Sequence, residues 1–397
     1  MKILAIETSC DDTCIALLKA QGKAKPYFKI LSNIVSSQVK IHAKYGGVYP
    51  TLAKREHQKN LPITLARALC LAKLSTKQPK IDAVAVTVGP GLEPCLWVGV
   101  NFAKELAQKL NLPIVPVNHI EAHILANWLS PISENSKFQI TNFKNLFPAI
   151  CLVVSGGHTQ LILMKNHGNY RILGETRDDA AGECFDKIAR ILGLGYPGGP
   201  LIAIEATKLK TKNYQLKIKL PRPMIYQKNY DFSFSGLKTA VLYNYKNQPP
   251  KIRKSKKYVQ QMCAEAQQAI IDVLIKKTIQ AAEDYNAKTI ILGGGVAAND
   301  ELRKQFNYKL KTINYKLNFL VPPKKFCTDN AAMVAVAAYF HWFWGKEKKP
   351  KSVKENFVHE RAKRVSKDES EALIALFSTF ASSGSSVIEA NANLRLE

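Results

Sequence analysis

ILAIETSCDDTCIALLK, residues 3–19, consists of an apolar segment, a polar turn and a second apolar segment. AICLVVSGGHTQLILMK, residues 149–165, has the same arrangement. Aliphatic runs on either side of a short polar turn predict a strand–turn–strand hairpin in both places. Because strands and helical patterns follow each hairpin, we predict a duplicated α/β chain with two halves and a cleft between them.

Further segments extend this pattern. Apolar strands that end in glycine are predicted at IDAVAVTVGPG (81–91) and TIILGGGVAAND (289–300). Helical periodicity is found in five segments, 54–72, 94–110, 180–193, 256–285 and 330–344. The polar segment 130–147 is irregular and predicts the boundary between the halves. After Gly345 the composition becomes charged, which is typical of an appended, partly disordered tail over 346–397.

Composition narrows the class of protein. The chain has 397 residues, of which 46% are hydrophobic and 22% charged, as in globular proteins. No window contains 18 uninterrupted apolar residues and the N-terminus lacks the pattern of a signal peptide, so we expect no membrane span. Eight cysteines are scattered without a Cys-x-x-Cys pair, which favours a reducing, cytoplasmic location.

The chain is strongly basic. Its 57 Lys and Arg residues exceed 31 Asp and Glu residues, which gives a formal charge of +26. Dense basic runs lie at 251–258 and 348–354, and the segment 208–230 combines Lys and Arg with Tyr. Such mixtures suit contact with phosphates and stacking on bases. The alternative is a lysine-rich composition with solvated faces, although the uneven distribution of charge counts against it.

A candidate metal site lies in VNHIEAHILANWL, residues 117–129. A buried strand is predicted to end at Asn118, and helical spacing follows. Residues four apart share a helix face, so His119 and His123 can bind one ion. Asp329, before the predicted helix 330–344, can supply a carboxylate, or Thr328 or Asp329 can cap that helix. Two ordinary histidines remain the alternative to a metal site.

Three further segments suit nucleotide binding. VSGGHT (154–159) places two glycines in a turn that can approach an anion, unless it is a plain hairpin turn. In the first half, Asp11 and Asp12 occupy the matching turn. GGGVAAN (293–299) joins a strand to a helix, where a nucleotide can meet bare backbone. Asp186 is either solvated or a ribose-hydroxyl acceptor.

The assembled motifs closely resemble the tRNA threonylcarbamoyladenosine transferase family of the TsaD type. The resemblance runs collinearly over about residues 1–344. Its motifs are ETSCDDT (7–13), YGGVYPTLAKREH (45–57), GPGLEPCLWVGV (89–100), NHIEAH (118–123), VSGGHT (154–159), GECFDKIARILGLGYPGGP (182–200), DFSFSGLKTAV (231–241), GGGVAAN (293–299) and CTDNAAM (327–333).

The resemblance implies a two-lobed, duplicated ribonuclease H-like fold of the actin, sugar-kinase and heat-shock chaperone ATPase superfamily. The first lobe would comprise 1–129 with 326–345, and the second 130–325. The implied reaction transfers threonylcarbamoyl from threonylcarbamoyl-AMP to N6 of the tRNA adenosine 3′ to the anticodon. The implied partners besides tRNA are an inactive paralogous subunit of the TsaB type and a small ATPase of the TsaE type.

The resemblance also implies roles for individual residues. One divalent ion, iron or zinc, would be bound by His119, His123 and Asp329, and Asp11 would act near it at the reacting carbonyl. The substrate would contact the remaining candidates, which are Val154, Ser155, Gly156, Gly157, His158, Asp186, Gly199 and Asn299. Two positions depart from the family pattern: Ala122 replaces a usual Gly, and Ala203 stands where many members carry an acidic residue.

Other classes of function agree less well with the sequence. A metalloprotease of the HExxH type places Glu next to the first His, whereas Glu121 lies two residues on and points away from the metal face. A small-molecule kinase of the same fold does not need the paired histidines. An inactive RNA-binding paralogue should lack His119, His123 and Asp329, which are all present.

Overall fold

The computed structural model describes residues 1–22, 26–129, 143–209, 218–312, 316–344 and 388–396. Its first sheet contains β1 (Lys2–Glu7), β2 (Asp12–Gln21), β3 (Tyr27–Ser37), β4 (Ala83–Gly89) and β5 (Ile114–Asn118) in the order β3-β2-β1-β4-β5. The β1–β2 and β2–β3 pairs are antiparallel, and β4 joins β1 and β5 in parallel.

The second sheet repeats this plan. It contains β6 (Ala149–Val154), β7 (Thr159–Asn166), β8 (Asn169–Glu175), β9 (Thr289–Gly293) and β10 (Asn318–Leu320). Their order, β10-β9-β6-β7-β8, is that of the first sheet read from the other edge, with the same antiparallel and parallel pairs. The duplication predicted from the two hairpins is therefore confirmed, as is the two-sheet α/β class.

Eleven α-helices are found in the described residues. They are α1 (Val39–His42), α2 (Pro50–Leu71), α3 (Glu93–Leu110), α4 (His119–Leu125), α5 (Ala181–Ile191), α6 (Gly198–Thr207), α7 (Ser235–Asn247), α8 (Pro250–Arg253), α9 (Lys256–Asp284), α10 (Asp300–Thr312) and α11 (Ala331–Trp344). The five helices predicted from periodicity correspond to α2, α3, α5, α9 and α11. Helix α2 begins one turn before the predicted 54, because proline is favoured at a first helical position.

The first sheet is buried on both faces, which explains why β1 is almost continuously apolar. Leu4 and Ile6 pack with the residues of α2 and α3. Ile3 and Ala5 point to the other face, into a core that also contains apolar residues of α4, α11 and the second sheet. Helices α4 and α11 therefore belong to a core that both sheets share, and this brings the candidate metal ligands between them.

Part of the predicted tail 346–397 is described. In the segment 388–396, the Asn391 N–H donates to Val88 O at 2.6 Å, and Ala392 O accepts from the Gly91 N–H at 3.2 Å. Ile388 and Leu396 are buried in the apolar clusters of the body. The rest of that tail up to 387, and residues 130–142 of the predicted boundary loop, lie outside the described residues.

None of the described helices is both long enough and apolar enough to cross a membrane. All eight cysteines are free thiols, so Cys10 and Cys14 are not bridged.

Candidate metal centre and interlobe cleft

Helix α4 carries the two candidate histidines at a defined rotation. It starts directly after β5, and the Asn118 side chain caps it by accepting from the N–H groups of Ile120 at 2.8 Å and Glu121 at 3.1 Å. This cap begins the helix at His119, so that His119 and His123 lie one above the other. Both rings are buried, with 5% and 1% of their surface exposed.

Asp329 meets the two rings from the turn before α11. Its Oδ1 lies 3.2 Å from His123 Nε2 and 3.6 Å from His119 Nε2. The predicted cap at Thr328 or Asp329 is wrong, because Asn330 Oδ1 accepts from the Met333 N–H at 3.1 Å and so caps α11. Since Asn330 performs the capping, the Asp329 carboxylate is available to a ligand.

The three side chains fit a metal ion. One ligand atom from each of His119, His123 and Asp329 lies within 4.8 Å of the others. His123 Nε2 is buried, and its 3.2 Å contact with Asp329 Oδ1 lacks hydrogen-bond geometry, as expected of two atoms that bind the same ion. Two imidazoles and one carboxylate suit Zn²⁺ or Fe²⁺ and leave coordination positions for a substrate. A bound ion would supply Lewis acidity to oxygen atoms of the substrate.

Glu7, at the end of β1, orients the first ligand. It is fully buried, and its Oε2 accepts from His119 Nδ1 at 2.9 Å and from the Thr87 hydroxyl at 2.7 Å. Burial raises the pKa of Glu7, but the neighbouring His119 lowers it by more. The net pKa therefore lies below its ordinary value, and the carboxylate stays ionised. The bond keeps the proton on Nδ1 and presents Nε2 to the ion.

The charges of the site are arranged for a cation. Burial lowers the pKa of His119, but Glu7 and Asp329 raise it to about 9. Burial raises the pKa of Asp329, but the two histidines lower it to about 2. A cation bound at Nε2 would displace the ring proton and would balance the negative charge of these two carboxylates in its place.

The acidic turn between β1 and β2 lies close to this centre. Burial and the Asp329 carboxylate both raise the pKa of Asp11. Burial raises the pKa of Asp12 to about 7, and Asp329 and Asp11 add to the shift. His57 holds the turn in place, since its Nε2 donates to Cys10 O at 3.0 Å and its Nδ1 accepts from Thr13 at 2.8 Å.

The matching turn of the second sheet faces the same centre. Val154 ends β6, and the Ser155 N–H donates to His158 O at 2.8 Å, which closes a tight turn around the two glycines. Neither Gly156 nor Gly157 has a positive φ, so the turn does not depend on the left-handed conformations that glycine permits.

A Cβ on Gly156 or on Gly157 would meet nothing within 4 Å, so these two glycines leave open space for a ligand. Burial and the neighbouring His119 and His123 lower the pKa of His158 to about 4, so its ring is neutral at pH 7.

Asp186 makes a bond within the protein that the sequence did not indicate. It is not a simply solvated carboxylate, because its Oδ1 accepts from the Gly198 N–H at the start of α6 at 2.6 Å. Burial raises the pKa of Asp186 while the N–H groups of Gly198 and Gly199 lower it. The bond ties α5 to the PGGP turn, and Gly199 remains partly exposed beside it.

Asn299 and two of the three glycines before it make contacts that bring neighbouring elements together. Asn299 Oδ1 accepts from the Leu302 N–H at 3.0 Å, and its Nδ2 donates to Gln267 at 2.9 Å. A Cβ on Gly293 would lie 2.8 Å from His123 O, and one on Gly294 would lie 2.4 Å from Val154 O. Gly293 and Gly294 therefore permit β9 to approach α4 and β6 closely. The sequence indicated only that the backbone of these glycines is open to a ligand.

Glu121 lies on the other face of α4. Its carboxylate accepts from Tyr170 Oη at 3.0 Å and from His341 Nε2 at 2.7 Å, and only 4% of the residue is exposed. It is therefore occupied and turned away from the ligands, which agrees with the argument against a protease. Ala122 is fully buried in the core around α4, where its methyl group is accommodated.

Sequence reasoning missed two supporting residues, Glu7 and His57. Both occur in the quoted motifs, ETSCDDT and YGGVYPTLAKREH. A charged residue at the end of an apolar strand was the available signal for Glu7, since an acidic side chain is rarely buried without a partner. No comparable signal marked His57, because its partners come from a different hairpin.

The two sheets of matching strand order, with the candidate metal ligands between them, define a duplicated α/β fold. The solved structure of HypF from T. kodakarensis shares this fold, with a TM-score of 0.50 and 13% identity over 87% of this chain and 48% of that one.

The TsaD family model, tRNA N6-adenosine threonylcarbamoyltransferase, matches residues 29–336. The curated protein of that name from Thermosipho africanus is 48% identical over 340 residues, 85% of this chain and 94% of its own length. The one from Syntrophomonas wolfei is 49% identical over 341 residues, 86% of this chain and 92% of its own length. The chain therefore belongs to the TsaD family, and the resemblance stated from its motifs is confirmed.

Proposed function

We propose that this protein transfers the threonylcarbamoyl group of threonylcarbamoyl-AMP to N6 of the adenosine 3′ to the anticodon, in tRNAs that read codons starting with adenine. The family match over 29–336 carries this proposal. The convergence of His119, His123 and Asp329 supports it, because the active members of the resemblance need all three. We expect the reaction to take place in the cytoplasm.

The proposed chemistry is an acyl transfer. The adenine N6 attacks the carbamoyl carbonyl carbon, a C–N bond forms, and the C–O bond to the phosphate of AMP breaks. The proton lost from N6 leaves to solvent or to the departing phosphate. Since AMP is a good leaving group, the protein mainly has to position both substrates and stabilise developing charge.

Residues on both sides of the cleft have roles in this proposal. The metal ion, iron or zinc, is bound by His119, His123 and Asp329, with Asp11 beside it at the reacting carbonyl. The turn from Val154 to His158 contacts the acyl phosphate.

Asp186, Gly199 and Asn299 line the nucleotide side. Asp186 contacts the ribose through its second oxygen, because Oδ1 is bonded to Gly198. The ligands lie in the proposed first lobe, 1–129 with 326–345, and the nucleotide loops in the second, 130–325.

Reconstitution tests the reaction directly. Unmodified tRNA, threonine, bicarbonate and ATP are incubated with an adenylate-forming enzyme and this chain, and the tRNA nucleosides are then analysed. We expect N6-threonylcarbamoyladenosine at the position 3′ to the anticodon. Addition of a TsaB-type paralogue and a TsaE-type ATPase tests whether the proposed partners are needed. No modified nucleoside with all components present would refute the proposal.

His119→Ala is the matched variant for the metal centre. Because it removes one of three ligands from a buried site, we expect loss of bound metal and of transfer while the far-ultraviolet spectrum is retained. Full activity with normal metal content in this variant would show that the centre has no part in the reaction.

A further inference from the structure

The half of the chain that contains the second sheet has one strongly basic region. Between Asp231 and Glu265 the chain has seven basic residues and no acidic one. This stretch forms α7, α8 and the start of α9. We call residues 243–257 the basic corner. Its exposed lysines are Lys246, Lys251, Lys254, Lys256 and Lys257.

Polar and ring contacts hold the basic corner in a defined shape. The Tyr258 hydroxyl donates to Asn244 at 2.8 Å, which ties α9 back to α7. Ser255 caps α9 by accepting from the Tyr258 N–H at 3.3 Å. The Arg253 guanidinium lies over the Tyr245 ring at 5.3 Å from its centroid. The helices that carry the lysines are therefore held in one arrangement, so less conformational entropy is lost when a ligand binds.

Most lysines of the basic corner have no acidic partner among the described residues. Within the described part of the chain, Lys246, Lys251, Lys254 and Lys256 form no ion pair. Lys238, on the preceding turns of α7, instead pairs with Asp179 at 3.5 Å. Several uncompensated cations in a small area attract a polyanion and release its counterions on binding.

Exposed aromatic rings favour RNA over an acidic protein as the partner of the basic corner. Tyr243 on α7 is 62% exposed, and Tyr226 is 90% exposed on the loop before α7. That loop meets the first turn of α7, since Pro223 Cγ lies 3.9 Å from the place of a Cβ on Gly236. Exposed tyrosines beside lysines offer stacking faces for unpaired bases together with phosphate contacts, which an acidic peptide does not use.

Helix α7 connects the basic corner to the candidate substrate residue Asp186. Helix α7 packs against α5, which carries Asp186. Asp178, just before α5, accepts from the N–H groups of Phe234 at 2.8 Å and Ser235 at 3.1 Å at the start of α7. A tRNA that delivers one adenosine into the cleft must extend over the neighbouring surface.

We propose that the basic corner binds the phosphate backbone of the tRNA substrate outside the reacting adenosine, with Tyr243 stacking on an unpaired base. This inference rests on the proposed function. Because the contact holds tRNA at a distance from the reacting atoms, it contributes to the affinity for tRNA and not to the chemical step.

The test compares the full chain with the double variant Lys251→Glu and Lys254→Glu. Binding of an unmodified tRNA transcript is measured by fluorescence anisotropy over a series of salt concentrations. We expect the Kd to rise about tenfold or more, and the slope of log Kd against log salt to fall by ~1.4 to 1.8, since each phosphate contact contributes ~0.7 to 0.9. In the reconstituted reaction the KM for tRNA rises while kcat at saturating tRNA is unchanged.

Lys77→Glu with Lys80→Glu is the matched control, since it makes the same change of charge on an exposed loop after α2. The control should change the Kd by much less and leave the salt slope close to that of the unaltered chain. A basic-corner variant that binds tRNA like the control overturns the inference, even if it loses a partner subunit. If the unaltered chain and its partners bind no tRNA at all, the proposed function itself fails.

Discussion

At the scale of single residues, Glu7 orients His119 in the candidate metal site, although Glu7 is not itself one of the three candidate ligands. It accepts hydrogen bonds from His119 Nδ1, the Thr87 hydroxyl and the Ser9 N–H. An imidazole whose far nitrogen is held by a carboxylate has a fixed tautomer and a more basic ligand atom. The last residue of β1 therefore orients one ligand of the candidate metal site.

Glu7→Gln tests this role. The amide removes the negative charge and one acceptor, so we expect metal affinity to fall about 10- to 100-fold. The measurement is competition with a chelator, followed by the absorption of bound Co²⁺. Glu121→Gln is the matched control, because it makes the same isosteric change on α4 and keeps an acceptor for Tyr170 or His341. Equal affinities in the two variants would contradict the role of Glu7.

At the scale of secondary-structure elements, hydrogen bonds of Glu121 anchor α4 on the face opposite His119 and His123. Glu121 joins it to Tyr170 on β8 and to His341 on α11, and His341 Nδ1 also lies 3.2 Å from Pro116 O. Burial lowers the pKa of His341, but the Glu121 carboxylate raises it above the ordinary value. The metal helix is thus bonded to elements of both sheets.

Glu121→Ala should destabilise the protein by about 3 kcal/mol, because it leaves the buried Tyr170 hydroxyl and the His341 ring without their acceptor. Tyr170→Phe removes one hydrogen bond only and should cost about 1 kcal/mol. Urea unfolding monitored by circular dichroism measures both changes. A cost for Glu121→Ala no larger than that for Tyr170→Phe would show that the His341 contact stabilises little.

Helix α7 begins on Asp178, which makes a pH-dependent contribution to stability. Burial raises the pKa of this carboxyl, but the hydroxyls of Ser233 and Ser235 lower it below the ordinary value of about 4. A lowered folded-state pKa stabilises the protein above the unfolded-state value, and this contribution disappears as the pH falls through the folded-state pKa.

Asp178→Ala is therefore expected to cost about 1 kcal/mol at pH 7, the usual value of a helix cap. The difference from the unaltered chain should shrink as the pH falls below about 4. Thermal unfolding at several pH values provides the measurement. A difference that stays constant down to pH 3 would show that the charge of Asp178 is not involved.

At the scale of the whole molecule, the segment 388–396 lies outside the family match yet packs on the body. Its backbone pairs with Val88 and Gly91 at the end of β4. Its Arg395 forms an ion pair with Glu175 of β8. A Cβ on Gly91 would lie 2.6 Å from Ser9 O, and Ser9 Oγ lies 3.2 Å from His119 Nδ1. The segment therefore contacts the loop that supports the metal centre.

Removal of residues 388–397 should lower the free energy of unfolding by about 3 kcal/mol, since it exposes the surfaces that bury Ile388 and Leu396. Gly89→Ala should act on the same contact, because its Cβ would lie 1.7 Å from Asn391 O. In a double-mutant cycle, Gly89→Ala should cost less in the truncated chain than in the full one. Strict additivity of the two changes would contradict the packing of this segment.

The sequence by itself determined the duplicated hairpins, the five periodic helices and the family, because apolar alternation and long collinear motifs are local properties of the chain. It also singled out His119 and His123, since i, i+4 spacing places both on one helix face. Only the tertiary structure decided that Asp329 completes the set while Asn330 caps α11, and that Glu7 orients His119. It also decided that Asp186 bonds to the start of α6 and that Gly293 and Gly294 admit β9 against the metal helix. The physical reason is that these contacts join residues far apart in the chain, and their distances depend on how the two sheets pack around a shared core.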